Sequence, residues 1–241
     1  NISKIQKQYF INIEDFIEIC KIAEGGFSTI FLIRNKKDNH FYVAKVINDS
    51  KNFHILDIFQ ILMSLKHPTI ISFYGYSLTN FYRENKITII MDFITNGSLA
   101  QIIEKAQKSL ADSNYDNTAR QIILAGVSYG IMYLHNHNII HHDLKPENIL
   151  LDDNFYPRIT DFGLSKFYDE NCVSDDQTPG GTPIYMAPEV IMNQPFDSKS
   201  DVYSFGIIMY EILTESVPYP ELESGQISIN EFINKVVKDN Y

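Results

Sequence analysis

The chain has 241 residues, 44% hydrophobic and 21% charged, which suits one large domain or two packed lobes with a substantial core. Its formal net charge of −10 argues against a nucleic-acid binder, which carries a basic face, and lends no support to binding at an anionic membrane surface. No apolar run approaches the ~20 residues of a membrane span, and the longest, Val202 to Leu213, is interrupted by Glu211.

The first half reads as strands. Phe16 to Ala23 and Ser28 to Arg34 flank the turn Glu24-Gly25-Gly26-Phe27, and Phe41 to Ile47 follows the polar turn Asn35 to Asn39. All three are rich in β-formers and predict a meander. Asn52 to Lys66 carries apolar residues at 55, 58, 59, 62 and 65, a helical spacing, and His67-Pro68 stops it. Ile71 to Leu78 and Lys86 to Phe93 read as two further strands around the polar loop Asn80 to Asn85. After Asn96-Gly97 the pattern turns helical: Leu99 to Lys108, Asp116 to His135 with Asp116 or Asn117 as N-cap, Ser198 to Thr214, and Asn230 to Lys238. The nearly continuous apolar content of Ser198 to Thr214 predicts a buried helix. The expected class is α+β, with a small β-rich lobe over 1–95, a larger helical lobe over 96–241, and a ligand cleft between them.

Two cysteines, Cys20 and Cys172, give no disulfide framework and point to a reducing, cytoplasmic compartment. Cys20 is expected to be buried in its strand and Cys172 to lie in a loop. Asn1 to Asn12 is mixed polar and aromatic and does not read as a signal peptide.

The chemistry-bearing segment is His141-His142-Asp143-Leu144-Lys145-Pro146-Glu147-Asn148, followed by Asp161-Phe162-Gly163, Gly181-Thr182-Pro183 and Ala187-Pro188-Glu189. Asp161 and Asn148 offer hard oxygen ligands from two neighbouring loops, as magnesium requires. Four histidines, His135, His137, His141 and His142, leave a metal-dependent hydrolase as a competing idea, but they lack HExxH spacing and cysteine partners.

From about Phe10 onward the ordered set resembles the eukaryotic protein-kinase family. The resemblance implies a two-lobed fold, ATP and magnesium as cofactors, and protein substrates. It implies that Asp143 accepts or orients the substrate hydroxyl proton, that Lys145 reaches the transferring phosphate, and that Asn148 and Asp161 hold the metal. Lys45, sharing a strand face with Val43, would hold the α- and β-phosphates. Ile22-Ala23-Glu24-Gly25-Gly26-Phe27-Ser28-Thr29-Ile30 resembles the glycine-rich loop, with Ala23 and Ser28 in place of glycines. Met91-Asp92-Phe93-Ile94 resembles the hinge: Met91 stands beside the adenine pocket, backbone groups of Asp92 and Ile94 pair with adenine, and Ile22, Val43 and Leu150 sandwich its ring. The equivalent of His141 packs on Phe162. Asp201 is expected to anchor the catalytic-loop backbone, or to cap its own helix.

The departures cluster on the nucleotide side. Ile58 occupies the place of the helix glutamate that pairs with the strand lysine; Asp57 is adjacent but about 100° round the helix. Val43 replaces alanine. His142 replaces the arginine before the catalytic aspartate and lacks its bidentate fork, so activity is expected not to depend on phosphorylation of Ser174, Thr178 or Thr182. After Lys238 the resemblance implies two or three further helices, with an arginine that would meet Glu189; the last arginine in this sequence is Arg158, which fits either a trimmed chain or a fragment. Lys145 with Gly181-Thr182-Pro183 resembles serine/threonine kinases, and Asp201-Val202-Tyr203-Ser204-Phe205-Gly206 resembles the tyrosine-kinase-like branch. Two readings stand: an active serine/threonine kinase, or a pseudokinase that acts as a binding or allosteric module.

Overall fold

The computed structural model describes residues 7–48, 55–168, 181–194 and 197–238. Cys172, Ser174, Thr178 and the expected helical start at Asn52 lie outside the described residues. Among the described residues, no helix is long and apolar enough to cross a membrane. The chain divides into two units, one of Asn1–His67 with Ile71–Ile94, the other of Pro68–Ile70 with Thr95–Tyr241.

The first unit is an antiparallel sheet with one helix. Its strands are β1 (Phe16–Glu24), β2 (Ser28–Asn35), β3 (Phe41–Ile47), β4 (Phe73–Ser77) and β5 (Thr88–Asp92), in spatial order β1-β2-β3-β5-β4, and α1 (Ile55–Ser64) precedes β4. The period-two pattern of β2 and β3 explains the sheet. Phe31, Ile33, Tyr42, Ala44 and Val46 point one way and are buried with Ile13, Phe16 and Ile90. Their neighbours Ile30, Leu32, Val43 and Lys45 point the other way and are half-buried. In α1, Ile58, Phe59, Ile61 and Leu62 are buried, following the 3.6-residue apolar stripe.

The second unit holds α2 (Leu99–Gln107), α3 (Asn117–Asn136), the short strands β6 (Ile139–Ile140), β7 (Ile149–Leu151), β8 (Pro157–Ile159) and β9 (Lys166–Phe167), then α4 (Pro188–Ile191), α5 (Lys199–Thr214), α6 (Pro220–Glu223) and α7 (Ile229–Lys238). Ser98 and Gln101 form a reciprocal capping box on α2. Asp116 caps α3 by accepting the N–H groups of Thr118 and Ala119 at 2.8 and 2.9 Å; losing such a cap costs about 1 kcal/mol. β6 pairs with β9 and β7 with β8, which frames the loop between β6 and β7. Tyr219, Phe232 and Val236 bury the inner side of α7.

Two expectations are corrected. Cys20 is exposed, because β1 is an edge strand and Cys20 stands opposite Leu32 on the half-open face. α5 is not buried all round: Val202, Tyr210 and Leu213 are 54%, 46% and 58% exposed, while Ser200, Asp201, Ser204 and Glu211 lie inside. Its buried stripe mixes the polar residues Ser200, Asp201, Ser204 and Glu211 with the fully buried Ile208 and Ile212, while Val202, Tyr210 and Leu213 lie on the outward side.

Candidate active site

In the first unit, cross-strand register gathers several of the residues expected to face a nucleotide. Ile30 stands opposite Lys45, and Val43 opposite Met91, so all four share one face of the sheet. Ala23 lies opposite Ile30 and joins that face. The register shifts between Lys21 and Ala23, which makes Ile22 the additional residue of a bulge, 49% exposed. The Gly25 N–H donates to the Ser28 carbonyl at 2.9 Å and closes the turn. Asn48, which sequence reasoning missed, fastens this turn to the end of β3. Its N–H donates to the Phe27 carbonyl at 3.0 Å, its Nδ2 to the Gly25 carbonyl at 3.4 Å, and its Oδ1 accepts the Thr29 hydroxyl at 3.4 Å. At the other end, Met91 is buried and the Asp92 N–H donates to the Ser72 carbonyl at 3.1 Å. Ile94, half-buried, lies just past β5, and Ile58 is buried on α1.

In the second unit, the loop between β6 and β7 brings Asp143, Lys145 and Asn148 together. The Lys145 ammonium lies 3.0 Å from Asp143 Oδ2 and donates to the Thr182 hydroxyl at 2.8 Å. Thr182 in turn donates to Asp143 Oδ1 at 3.3 Å. Asn148 Nδ2 donates to both the backbone carbonyl and Oδ2 of Asp143, at 2.7 and 3.0 Å. That assigns the amide orientation and leaves its Oδ1 as the acceptor end. The Thr160 N–H donates to the Asn148 carbonyl at 2.9 Å, which sets Asp161 beside the loop. Leu150 is half-buried on β7 opposite Arg158. Gly181 runs against the same loop with φ +123°; a Cβ there would lie 2.9 Å from the His142 carbonyl oxygen, so only glycine fits without a shift.

Beneath these groups lies a buried scaffold. Asp201 Oδ2 accepts the His141 N–H at 2.9 Å and bonds His135 Nε2 at 2.9 Å, and Oδ1 accepts the His142 N–H at 3.1 Å. Asp201 therefore anchors the loop, and the first N–H of α5, that of Lys199, donates instead to Asp197 Oδ1 at 2.7 Å. His141 is fully buried between two partners: its Nε2 bonds the Thr160 carbonyl at 2.9 Å, and its Nδ1 accepts the Asp143 N–H at 3.3 Å. Those partners select the Nε2–H tautomer. Its ring meets Phe162 with centroids 5.2 Å apart. The Ser165 hydroxyl donates to the His141 carbonyl at 3.0 Å. Through His135, Asp201, His141 and Thr160, the segment bearing Asp161 is tied to the loop bearing Asp143. Two backbones are left-handed here, His142 at φ 66° and Asp161 at φ 63°. Such conformations cost of order 1 kcal/mol and persist where surrounding bonds fix them.

The electrostatics follow from this packing. Burial opposes ionisation of Asp201, but the His135 hydrogen bond, the nearby His141 and its N–H hold its pKa below the usual carboxylate value. Burial pushes His142 down to about 4 against the pull of Asp201, and Lys166 adds to the depression, so its imidazole is neutral at pH 7. Burial pushes Glu211 up to about 7, with Glu147 pushing the same way and the Tyr185 hydroxyl opposing. Tyr185 donates to both Glu211 oxygens at 3.1 and 3.2 Å and is itself raised by burial and by that carboxylate.

The histidines are engaged in hydrogen bonds rather than grouped as ligands, since His137 Nδ1 bonds the Tyr133 carbonyl at 2.8 Å. Among the described residues, no group of three or more His, Cys, Asp or Glu could hold a metal ion.

Residues 16–240 match the protein kinase domain family. The cAMP-dependent protein kinase type 3 of Saccharomyces cerevisiae is 32% identical over 214 residues, covering 86% of this chain and 50% of that protein. The serine/threonine-protein kinase pakF of Dictyostelium discoideum is 31% identical over 210 residues, covering 86% and 17%. The serine/threonine-protein kinase CTR1 of Arabidopsis thaliana is 33% identical over 215 residues, covering 86% and 25%. The chain spans half or less of the length of each of these relatives. The relatives are serine/threonine kinases of more than one branch, the α+β architecture fits theirs, and the match runs nearly the whole length: the chain belongs to the protein kinase domain family.

Proposed function

We propose that the chain is an ATP-dependent protein serine/threonine kinase that transfers the γ-phosphate to protein hydroxyls. The observation that carries this reading is the closed set of bonds among Asp143, Lys145, Asn148 and Thr182. Phosphoryl transfer asks the protein mainly for position and charge stabilisation. Asp143 is suited to orient the substrate hydroxyl and take its proton, because Asn148 and Thr182 fix both carboxylate oxygens. Lys145 supplies a cation beside that carboxylate for the developing charge on the transferring phosphate. Protein kinases use ATP with magnesium, and the donor set fits that ion, since the Asn148 amide presents Oδ1 and Asp161 a carboxylate, both hard oxygen donors. Asn148 and Asp161 would hold magnesium, which would supply positive charge to offset that of the phosphates.

On the nucleotide side, Lys45 is assigned to the α- and β-phosphates, and Ala23, Gly25, Ser28 and Ile30 to the loop above them. Ile22, Val43 and Leu150 are assigned to the adenine faces, and Met91 to the back of the pocket. The Asp92 N–H is engaged by Ser72, so the Asp92 carbonyl and the Ile94 N–H are the groups proposed to pair with adenine. The proposal includes a cytoplasmic location, protein substrates, and no nucleic-acid or membrane partner, in keeping with the net charge of −10. The tyrosine-kinase-like branch rests on the segment from Asp201 to Gly206 alone, since relatives named as cAMP-dependent and CTR1 kinases match at 32% and 33%.

The second reading, a pseudokinase, is favoured by Ile58, buried where the family places a glutamate. Calorimetric titration with ATP separates the parts of the proposal. ATP is expected to bind more tightly with magnesium than without, and Asp161→Asn to erase that difference. Equal affinity with and without magnesium would contradict the metal assignment, and magnesium-dependent binding without turnover would select the pseudokinase.

A further inference from the structure

The segment Tyr9–Ile13 precedes residue 16, where the family match begins, yet it is built into the sheet. β4 is an edge strand, which would otherwise present unpaired backbone groups. Phe10 bridges Tyr76 in parallel, and the Ile11 N–H donates to the Tyr76 carbonyl at 2.9 Å. The approach is close: a Cβ at Gly75 would lie 2.6 Å from the Tyr9 carbonyl oxygen and 2.8 Å from Ile11 Cγ2. The segment straddles the edge. Ile11 and Ile13 pack with the buried cluster on one side of the sheet. On the other side, Tyr9 meets Phe73 at 5.4 Å and Phe10 meets Tyr76 at 5.8 Å between ring centroids.

Those two β4 rings are also the partners of α1. Phe59, fully buried, lies 4.8 Å from Tyr76 and 6.2 Å from Phe73 between ring centroids. An odd and an even position of one strand share a partner because the register shifts between Phe73 and Gly75. Tyr74, between them, meets Phe16 and Tyr42 of the opposite cluster. A continuous aromatic path therefore runs from the segment through the β4 edge into α1, next to Ile58.

We propose that Tyr9–Ile13 is a strap that positions α1 against β4, and through α1 the nucleotide-side residues of the first unit. The link to activity rests on the kinase reading, whereas the placement of α1 does not. Residues of the strap act through α1 and are positioning residues.

Two substitutions in the full chain displace the strap by different means. Gly75→Ala sets a methyl against the Tyr9 carbonyl, and Ile11→Pro removes the donor to Tyr76. Hydrogen exchange is the primary readout. Amides of α1 are expected to exchange at least about tenfold faster in both variants, a factor that reports local opening, while amides of α3 and α5 keep native protection. Ile11→Val, which retains the N–H, is expected to keep native rates. In the same variants, the KM for ATP should rise several-fold with a smaller change in kcat. Unchanged α1 exchange in both variants would overturn the strap. So would loosening of α3 and α5 to the same extent as α1, because that describes general destabilisation. Faster α1 exchange in a chain that binds no ATP at all would uphold the strap and overturn the kinase reading instead.

Discussion

The candidate residues of the first unit and those of the second are held in different ways. In the second unit, Asp143, Lys145 and Asn148 bond to one another and to Thr182, and the loop that carries them hangs from a buried carboxylate, Asp201, 1% exposed. In the first unit, Ile30, Val43 and Lys45 share a half-open sheet face positioned by strand register, and the turn at Gly25 and Gly26 is exposed. The set in the second unit is organised by side-chain bonds already made, whereas the set in the first is organised by backbone pairing. Among the departures from the family pattern, Ala23, Ser28 and Val43 fall in the second kind of structure, Ile58 lies on α1, and His142 lies in the loop that hangs from Asp201. A pleated face keeps its geometry when a side chain changes; a closed hydrogen-bond set does not.

The largest effect is expected where that contrast is deepest. Asp201→Ala removes the acceptor of three hydrogen bonds, from His135, His141 and His142. Breaking a buried, bonded charge of this kind costs about 3–5 kcal/mol, to be read as a fall in the urea midpoint. The Asp201 pKa is depressed, so its stabilisation is present above the unfolded carboxylate pKa and fades as pH falls through the folded value. A loss under about 1 kcal/mol would show that the loop does not hang on Asp201, and the comparison would break.

Glu211 gives the next effect, with the opposite sign. Its folded pKa is raised from 4.5 to about 7, so between those values the folded state keeps a proton that the unfolded state releases. Stability should therefore fall as pH rises from about 4.5 to about 7 and level off above, by about 3 kcal/mol for the full shift. Glu211→Gln keeps an acceptor for the Tyr185 hydroxyl and should flatten this dependence, leaving the variant the more stable protein at pH 8. Parallel pH–stability curves for the two proteins would show that Glu211 titrates normally.

The smallest effect concerns His142. Neutral at pH 7, it offers no cation to a phosphorylated activation segment. Ser174→Ala with Thr178→Ala is expected to leave transfer activity nearly unchanged. Thr182→Ala is expected to lower it, because Thr182 bridges Lys145 and Asp143. Loss of activity in the first pair would give phosphorylation a role that the histidine does not serve.

Much of this was legible in the sequence, for physical reasons. The closeness of Asp143, Lys145 and Asn148 is readable from their spacing in one short segment, and the roles proposed for them and for Asp161 rest on side-chain type, since metal and proton chemistry demand particular groups. Alternation in β2 and β3 put Val43 and Lys45 on one face before any coordinates, and Asp116 was readable as an N-cap. The fold class followed from the change of period after Asn96-Gly97. What escaped depends on partners distant in sequence. Thr182 meets Lys145 from 37 residues away. Asn48 reads as an ordinary polar residue until its bonds to the turn at Gly25 are seen. Cys20 was misplaced because edge position is a property of the sheet, not of the strand. The exposure of one side of α5 escapes a reading of its apolar composition, because Ser200, Asp201, Ser204 and Glu211 share the inward stripe with Ile208 and Ile212 and leave Val202, Tyr210 and Leu213 outside. The strap at Tyr9–Ile13 carries no motif, and its docking shows only beside Gly75.

The central claim is that the bonded set around Asp143 transfers phosphate. The direct measurement is radiolabelled phosphate transfer from ATP with magnesium to a generic basic protein, by the native chain and by Asp143→Asn. The account predicts transfer by the native chain that falls roughly 10²–10⁴-fold in Asp143→Asn. A folded native chain that binds ATP with magnesium yet transfers no more phosphate than Asp143→Asn would contradict it and leave a binding module.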